Sequence, residues 1–70
     1  MRDVIITREP IELYKILKFE GLVDSGGQAK TVIADGLVMV NGEVETRKRR
    51  KIVNGDTVIF ADEQLSIRLA

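Results

Sequence analysis

Apolar positions in this chain change period near its middle. Before Leu37 they recur at three- and four-residue spacing, and after it they alternate. Leu13, Ile16 and Leu17, with Phe19 beside them, form a stripe at helical spacing, and Glu12, Lys15 and Lys18 fall on the opposite face. Thr7-Arg8-Glu9-Pro10 reads as the start of this helix, because proline at the first helical position gives up an N–H that has no partner there. Gly21 is placed to end the helix in a left-handed cap, with Leu22-Val23 supplying apolar contact for the next turn. Ser25-Gly26-Gly27-Gln28 matches a capping box: the Ser25 hydroxyl accepts from the N–H of Gln28, whose side chain reaches back to the N–H of Ser25. Ala29, Val32 and Ile33 then give a second helix one apolar face, and Asp35-Gly36 closes it.

Leu37 to Val40 reads as a strand, and Asn41-Gly42 is a strong hairpin signal, because a type I′ turn needs positive φ at both central residues. Glu43 to Thr46 is expected to return antiparallel. Ile52-Val53 resumes apolar character, Asn54-Gly55-Asp56 marks a turn and Thr57 to Phe60 a strand. Ala61 to Gln64 reads as a connection, and Leu65 to Leu69 alternates cleanly as a last strand. Val4 to Ile6 is a further β-rich run, a first strand or an extended arm. The expected fold is α+β, two short helices packed on a small antiparallel or mixed sheet. Seventy residues admit one small domain, residues 1–70, with the motif core at about residues 10–60.

Charge changes the picture at one place. Arg47-Lys48-Arg49-Arg50-Lys51 are five adjacent cations in a chain of zero formal charge. Of 11 Lys plus Arg and 11 Asp plus Glu, only six cations remain elsewhere against all eleven carboxylates. Adjacent like charges repel and call for solvent or an anionic partner, of which a phosphate backbone is the commonest. A partner neutralising all five would make log K fall against log salt with a slope of about −3.5 to −4.5. The chain has no Cys and no His, which removes thiolate ligands and nucleophiles, the usual metal ligand and the commonest general base. Glu43 and Glu45 share one strand face but have no catalytic companion, and read as charge balance for the basic run. No apolar run is long enough to span a membrane, and the N-terminal one is too short for a signal peptide.

In order along the chain stand Gly21, a helix-opening Ser25 with Ala29 at its fifth residue, Gly36, Val38-Met39-Val40-Asn41-Gly42, the basic run, and Gly55-Asp56. Together these resemble the RNA-binding domain first described in ribosomal protein S-four, the alpha-L motif. The likeness runs from Leu17 to Asp56, and the whole chain looks like short bacterial members in which this domain is the entire protein. The resemblance implies a non-catalytic RNA-binding protein. It departs from the pattern directly after Ser25, where many members carry an RNA-facing Arg and this chain has Gly26 and Gly27.

The RNA-binding residues so implied are Ser25, Lys30, Asn41, Gly42, Arg47, Lys48, Arg49, Arg50 and Lys51. Each has a structural reading beside the functional one. Ser25 is first a cap, Asn41-Gly42 first a turn former, and Lys15 and Lys18 are read as solvated partners of Glu12 and other carboxylates. Tyr14, Phe19 and Phe60 are read as core or boundary packing, which argues against single-strand binding by base stacking. The expectation is a cytoplasmic monomer that binds structured RNA, ribosomal or transfer RNA-like, with no cofactor and no metal. A protein-interaction module for an acidic partner is the alternative.

Overall fold

The structure, a computed structural model, describes residues 1–70. The elements run β1 (Arg2–Ile6), β2 (Ile11–Glu12), α1 (Leu13–Phe19), α2 (Gly26–Ala34), β3 (Val38–Val40), β4 (Glu43–Val44), β5 (Lys51–Ile52), β6 (Thr57–Phe60) and β7 (Glu63–Leu69). Five strands form one sheet in the order β1-β7-β6-β3-β4, parallel between β1 and β7 and antiparallel elsewhere. β2 and β5 pair separately, with Ile11 opposite Ile52 and Glu12 opposite Lys51. This is the expected α+β architecture with a mixed sheet.

The two periods of the sequence meet in one core. Leu13, Ile16 and Leu17 of α1 and Ala29 and Ile33 of α2 pack with alternate strand residues, among them Val4, Val38, Val40, Val58, Leu65 and Ile67. Phe19 departs from expectation: it is 67% exposed. At about 100° per residue it lies about 110° from the centre of the stripe made by Leu13, Ile16 and Leu17, on the flank of the helix. Tyr14 and Phe60 do pack against the core, as expected.

Pro10 is not the first helical residue. α1 begins at Leu13, because Ile11 and Glu12 are taken up by pairing with β5, and that long-range ladder overrides the local start signal. The first two helical amides are satisfied from the basic run: Leu13 N–H donates to the Arg50 carbonyl at 2.9 Å and Tyr14 N–H to the Lys48 carbonyl at 3.1 Å. Both helices close as Schellman motifs. Leu22 N–H reaches the Leu17 carbonyl, and Leu37 N–H the Val32 carbonyl, past Gly21 and Gly36 in the left-handed region. Leu37, expected in the strand, belongs to this closure, and β3 starts one residue later.

The Ser25 cap forms as expected, accepting from Gln28 N–H at 3.1 Å. The reciprocal half differs by one residue: the Gln28 side chain accepts from the N–H of Asp24, at 2.7 Å, not of Ser25. The Asn41-Gly42 turn has φ of 53° and 86°, as a type I′ turn requires. β4 is shorter than the expected return strand and stops at Val44. The connection after β6 is also shorter, since Phe60 already pairs with Glu63 and only Ala61-Asp62 lie between.

Candidate nucleic-acid interface

The basic run begins three residues after β4 and ends in β5, where Lys51 lies opposite Glu12. Within it, Arg50 N–H donates to the Arg47 carbonyl at 3.1 Å and closes a tight turn. The two carbonyls that cap α1 stitch the loop to the helix layer from one side. From the other side it is held by Glu45.

Glu45 is the one charged residue in the buried set, 6% exposed. Its carboxylate accepts from the backbone N–H of Arg47 at 2.9 Å, from Arg47 Nε at 3.0 Å, from Arg47 Nη2 at 3.0 Å and from Arg50 Nη1 at 2.8 Å. These charge-assisted bonds stabilise the ionised form more than burial opposes it. The Arg47 and Arg50 side-chain hydrogen bonds therefore bring the Glu45 carboxyl from 4.5 down to about 2, and Glu45 in turn raises the Arg47 pKa. Arg49 faces Glu12 at 3.7 Å, and Glu12 also pairs with Lys15 at 3.3 Å. Lys48 and Lys51 make no ion pair. The five cations are thus of two kinds, three arginines that face carboxylates and two free lysines.

The loop borders an open, shallow concavity of about 990 Å³, lined by Thr46, the five cations and Ala34 at the end of α2. Lys30 joins it through Tyr14. The Lys30 Nζ lies 4.8 Å from the centre of the Tyr14 ring, a cation–π distance, and the Tyr14 backbone is the one bonded to Lys48. Lys15 lies 6.0 Å from the same ring. Lys15 pairs with Glu12 as expected and lines the separate hollow between β1 and α1, not this surface.

The other expected site residues stand apart. Ser25 lies at the opposite end of α2 from Ala34, about 13 Å away along the axis. Asn41 and Gly42 lie at the far end of the β3-β4 hairpin from the loop and line no part of the concavity. The Asn41 side chain is engaged within the fold: its Nδ2 donates to Asp56 Oδ1 at 3.0 Å, and its Oδ1 accepts from Thr57 N–H at 2.9 Å. It ties the hairpin turn to the turn before β6. Glu45 balances the basic run as expected, through Arg47 and Arg50, but its burial, and the part played by Glu12 and Tyr14, are what sequence reasoning missed. The Glu45-x-Arg47 spacing is a local trace of that pairing, but nothing local says that this carboxylate turns inward while Glu43, two residues away on the same expected face, stays exposed.

A second hollow, of about 440 Å³, lies between β1 and α1, with Ile5 and Phe19 exposed at its rim. No helix is long and apolar enough to cross a membrane, and no cluster of acidic residues is arranged to hold a metal.

Known proteins resemble this chain in sequence and fold. The chain is 54% identical over 57 residues to YbcJ of Escherichia coli (strain K12), covering 81% of each chain. It is 38% identical over 55 residues to the Bacillus subtilis (strain 168) protein named "Probable ribosome maturation protein RlbA", covering 79% of this chain and 78% of that one. The solution structure of Escherichia coli YbcJ, described as revealing an alfaL motif involved in RNA-binding, superposes with a TM-score of 0.74 at 48% identity. That superposition covers 97% of this chain and 87% of the other. The sequence profile of the S4 domain matches residues 4–68. A match of that extent, together with the shared fold, makes this chain a member of the S4 domain family.

Proposed function

We propose that this chain is a non-catalytic RNA-binding protein that holds structured RNA on the basic concavity, with Lys30 extending the face along α2. The observation that carries this reading is the concave surface itself, five consecutive cations held in a fixed turn at the end of α2. Lys and Arg grip phosphates, with the arginines suited to two-pronged contact. Phosphate contacts position a protein without reading sequence, so shape is the selective element. A ribosomal or transfer RNA helix junction suits such a face. The description of the solved YbcJ motif supports RNA binding, and the name of the Bacillus subtilis relative supports a ribosomal setting.

The ion pairs change the expected salt dependence. With Arg47 and Arg50 sharing Glu45 and Arg49 facing Glu12, part of the loop's charge is already balanced. About three phosphates, not five, are then neutralised on binding, and the log–log slope becomes about −2 to −3. Titration of a folded RNA and of heparin against salt checks both points. Tighter binding of folded RNA than of heparin, with a slope in that range, supports the reading. A flat response sinks the phosphate-binding face, and equal affinity for heparin favours a module for acidic proteins.

A further inference from the structure

We propose that Glu45 is a positioning residue for the polyanion: its buried carboxylate holds Arg47 and Arg50 in a preformed cradle, so that a negative charge strengthens the binding of phosphate. The inference rests on the RNA-binding reading of the loop and adds to it the device that orders the loop. A carboxylate inside a cation cluster that meets a polyanion looks like a liability, because it cancels charge and repels phosphate. Its geometry argues otherwise.

Both carboxylate oxygens of Glu45 are used, and one bond goes to the loop backbone at Arg47 N–H. That bond sets where the chain turns away from β4. The pair with Arg47 is two-pronged, through Nε and Nη2, which orients the plane of the guanidinium. Arg47 gives two of its five N–H donors to Glu45 and Arg50 gives one, so donors remain for phosphate on both. The Arg47 side chain is 73% exposed although one edge is anchored. Without Glu45, adjacent cations repel and two long side chains must be ordered by the ligand at the moment of binding.

The two effects have opposite sign. Repulsion alone, for a phosphate about 8 Å from a carboxylate at the protein surface layer and screened at physiological salt, makes Glu45→Gln tighten binding about three- to fourfold. Loss of prior ordering of two arginine side chains makes the same change weaken binding about tenfold. Ordering outweighs repulsion by this measure.

The test is titration of a folded RNA hairpin with the wild-type chain, Glu45→Gln, Arg47→Lys and the double variant, with thermal melts on the same samples. We expect Glu45→Gln to bind about threefold more weakly, the net of the two effects, with a salt slope steeper than wild type by about 0.7 to 0.9, because one loop cation is no longer balanced. Arg47→Lys keeps every charge but loses the two-pronged anchor, and is expected to weaken binding similarly. The double variant is expected to lose little more than either single one, because both act through the same contact. Equal or tighter binding by Glu45→Gln overturns the inference, and so do fully additive losses, which would make Arg47 an independent contact. If the melt shows Glu45→Gln to be unfolded, Arg47→Lys decides alone, and wild-type affinity in that variant overturns the inference. Absence of RNA binding by the wild-type chain overturns the RNA reading itself, an outcome separate from all of these.

Discussion

Lys48 and Lys51 differ from the arginines between and beside them in having no carboxylate partner. That makes them the cleanest probes of phosphate contact. Removing Arg47 or Arg50 also strips Glu45 of a partner, so a loss of binding there mixes contact with loop order. Both lysines are exposed and their side chains bear none of the bonds that hold the turn. We expect Lys48→Ala with Lys51→Ala to reduce the salt slope by about 1.4 to 1.8 and to lower RNA affinity, with stability changed by less than about 0.5 kcal/mol per site. Anisotropy titration across a salt series, with a melt on each sample, reads both. Unchanged affinity would remove the loop from the interface. The run itself was plain in the sequence, because five like charges in succession are a local fact. That Glu12 also faces the run and that Glu45 is buried was not, because Glu12 lies on a distant segment and the inward turn of Glu45 depends on where β4 stops.

At the scale of elements, the hairpin and α2 carry separate expectations. Gly42 sits at φ 86° with open space around it, so a side chain there meets backbone strain and no clash. Gly42→Val places a β-branched residue in the left-handed region and loosens the Asn41 clamp to Asp56 and Thr57. We expect a stability loss of about 1–3 kcal/mol in urea unfolding, with RNA affinity of the folded protein retained, since this turn lies away from the concavity. A large affinity loss without a stability loss would bring Asn41-Gly42 back into the interface. On α2, Lys30→Glu is expected to weaken RNA binding more than Lys18→Glu, because Lys30 adjoins the loop through Tyr14 and Lys18 is an exposed cation with no ion pair on α1. Equal losses in the two titrations would indicate a diffuse field and no defined face. Both helices were legible from spacing, and the type I′ turn from Asn-Gly. The β2-β5 ladder was not, because two-residue strands carry no period, and their pairing joins residues 11–12 to residues 51–52.

For the whole molecule, the depressed Glu45 carboxyl links loop order to folding. Its pKa is about 2 in the fold against an ordinary 4.5, so the ionised form is what the fold stabilises. A depressed carboxylate contributes stability that is present above its unfolded value and lost as pH falls through its folded value. The stability gap between wild type and Glu45→Gln should therefore be constant above about pH 5 and close between about pH 4.5 and 2. Urea unfolding at stepped pH measures it, and a gap that stays open at pH 2 would assign the effect to packing. Local spacing was enough for the parts set by neighbours a few residues apart: two helices, the hairpin turn, the cation run and the α+β class. Side-chain period and turn chemistry act over that range, so they are written locally. Long-range packing decided the parallel pairing of β1 with β7, the late start of α1 and the burial of Glu45 among its arginines. Each of these depends on which surfaces meet across a long separation in the chain, and the energy that selects among such meetings, burial and long-range hydrogen bonding, has no signature in the spacing of any one segment.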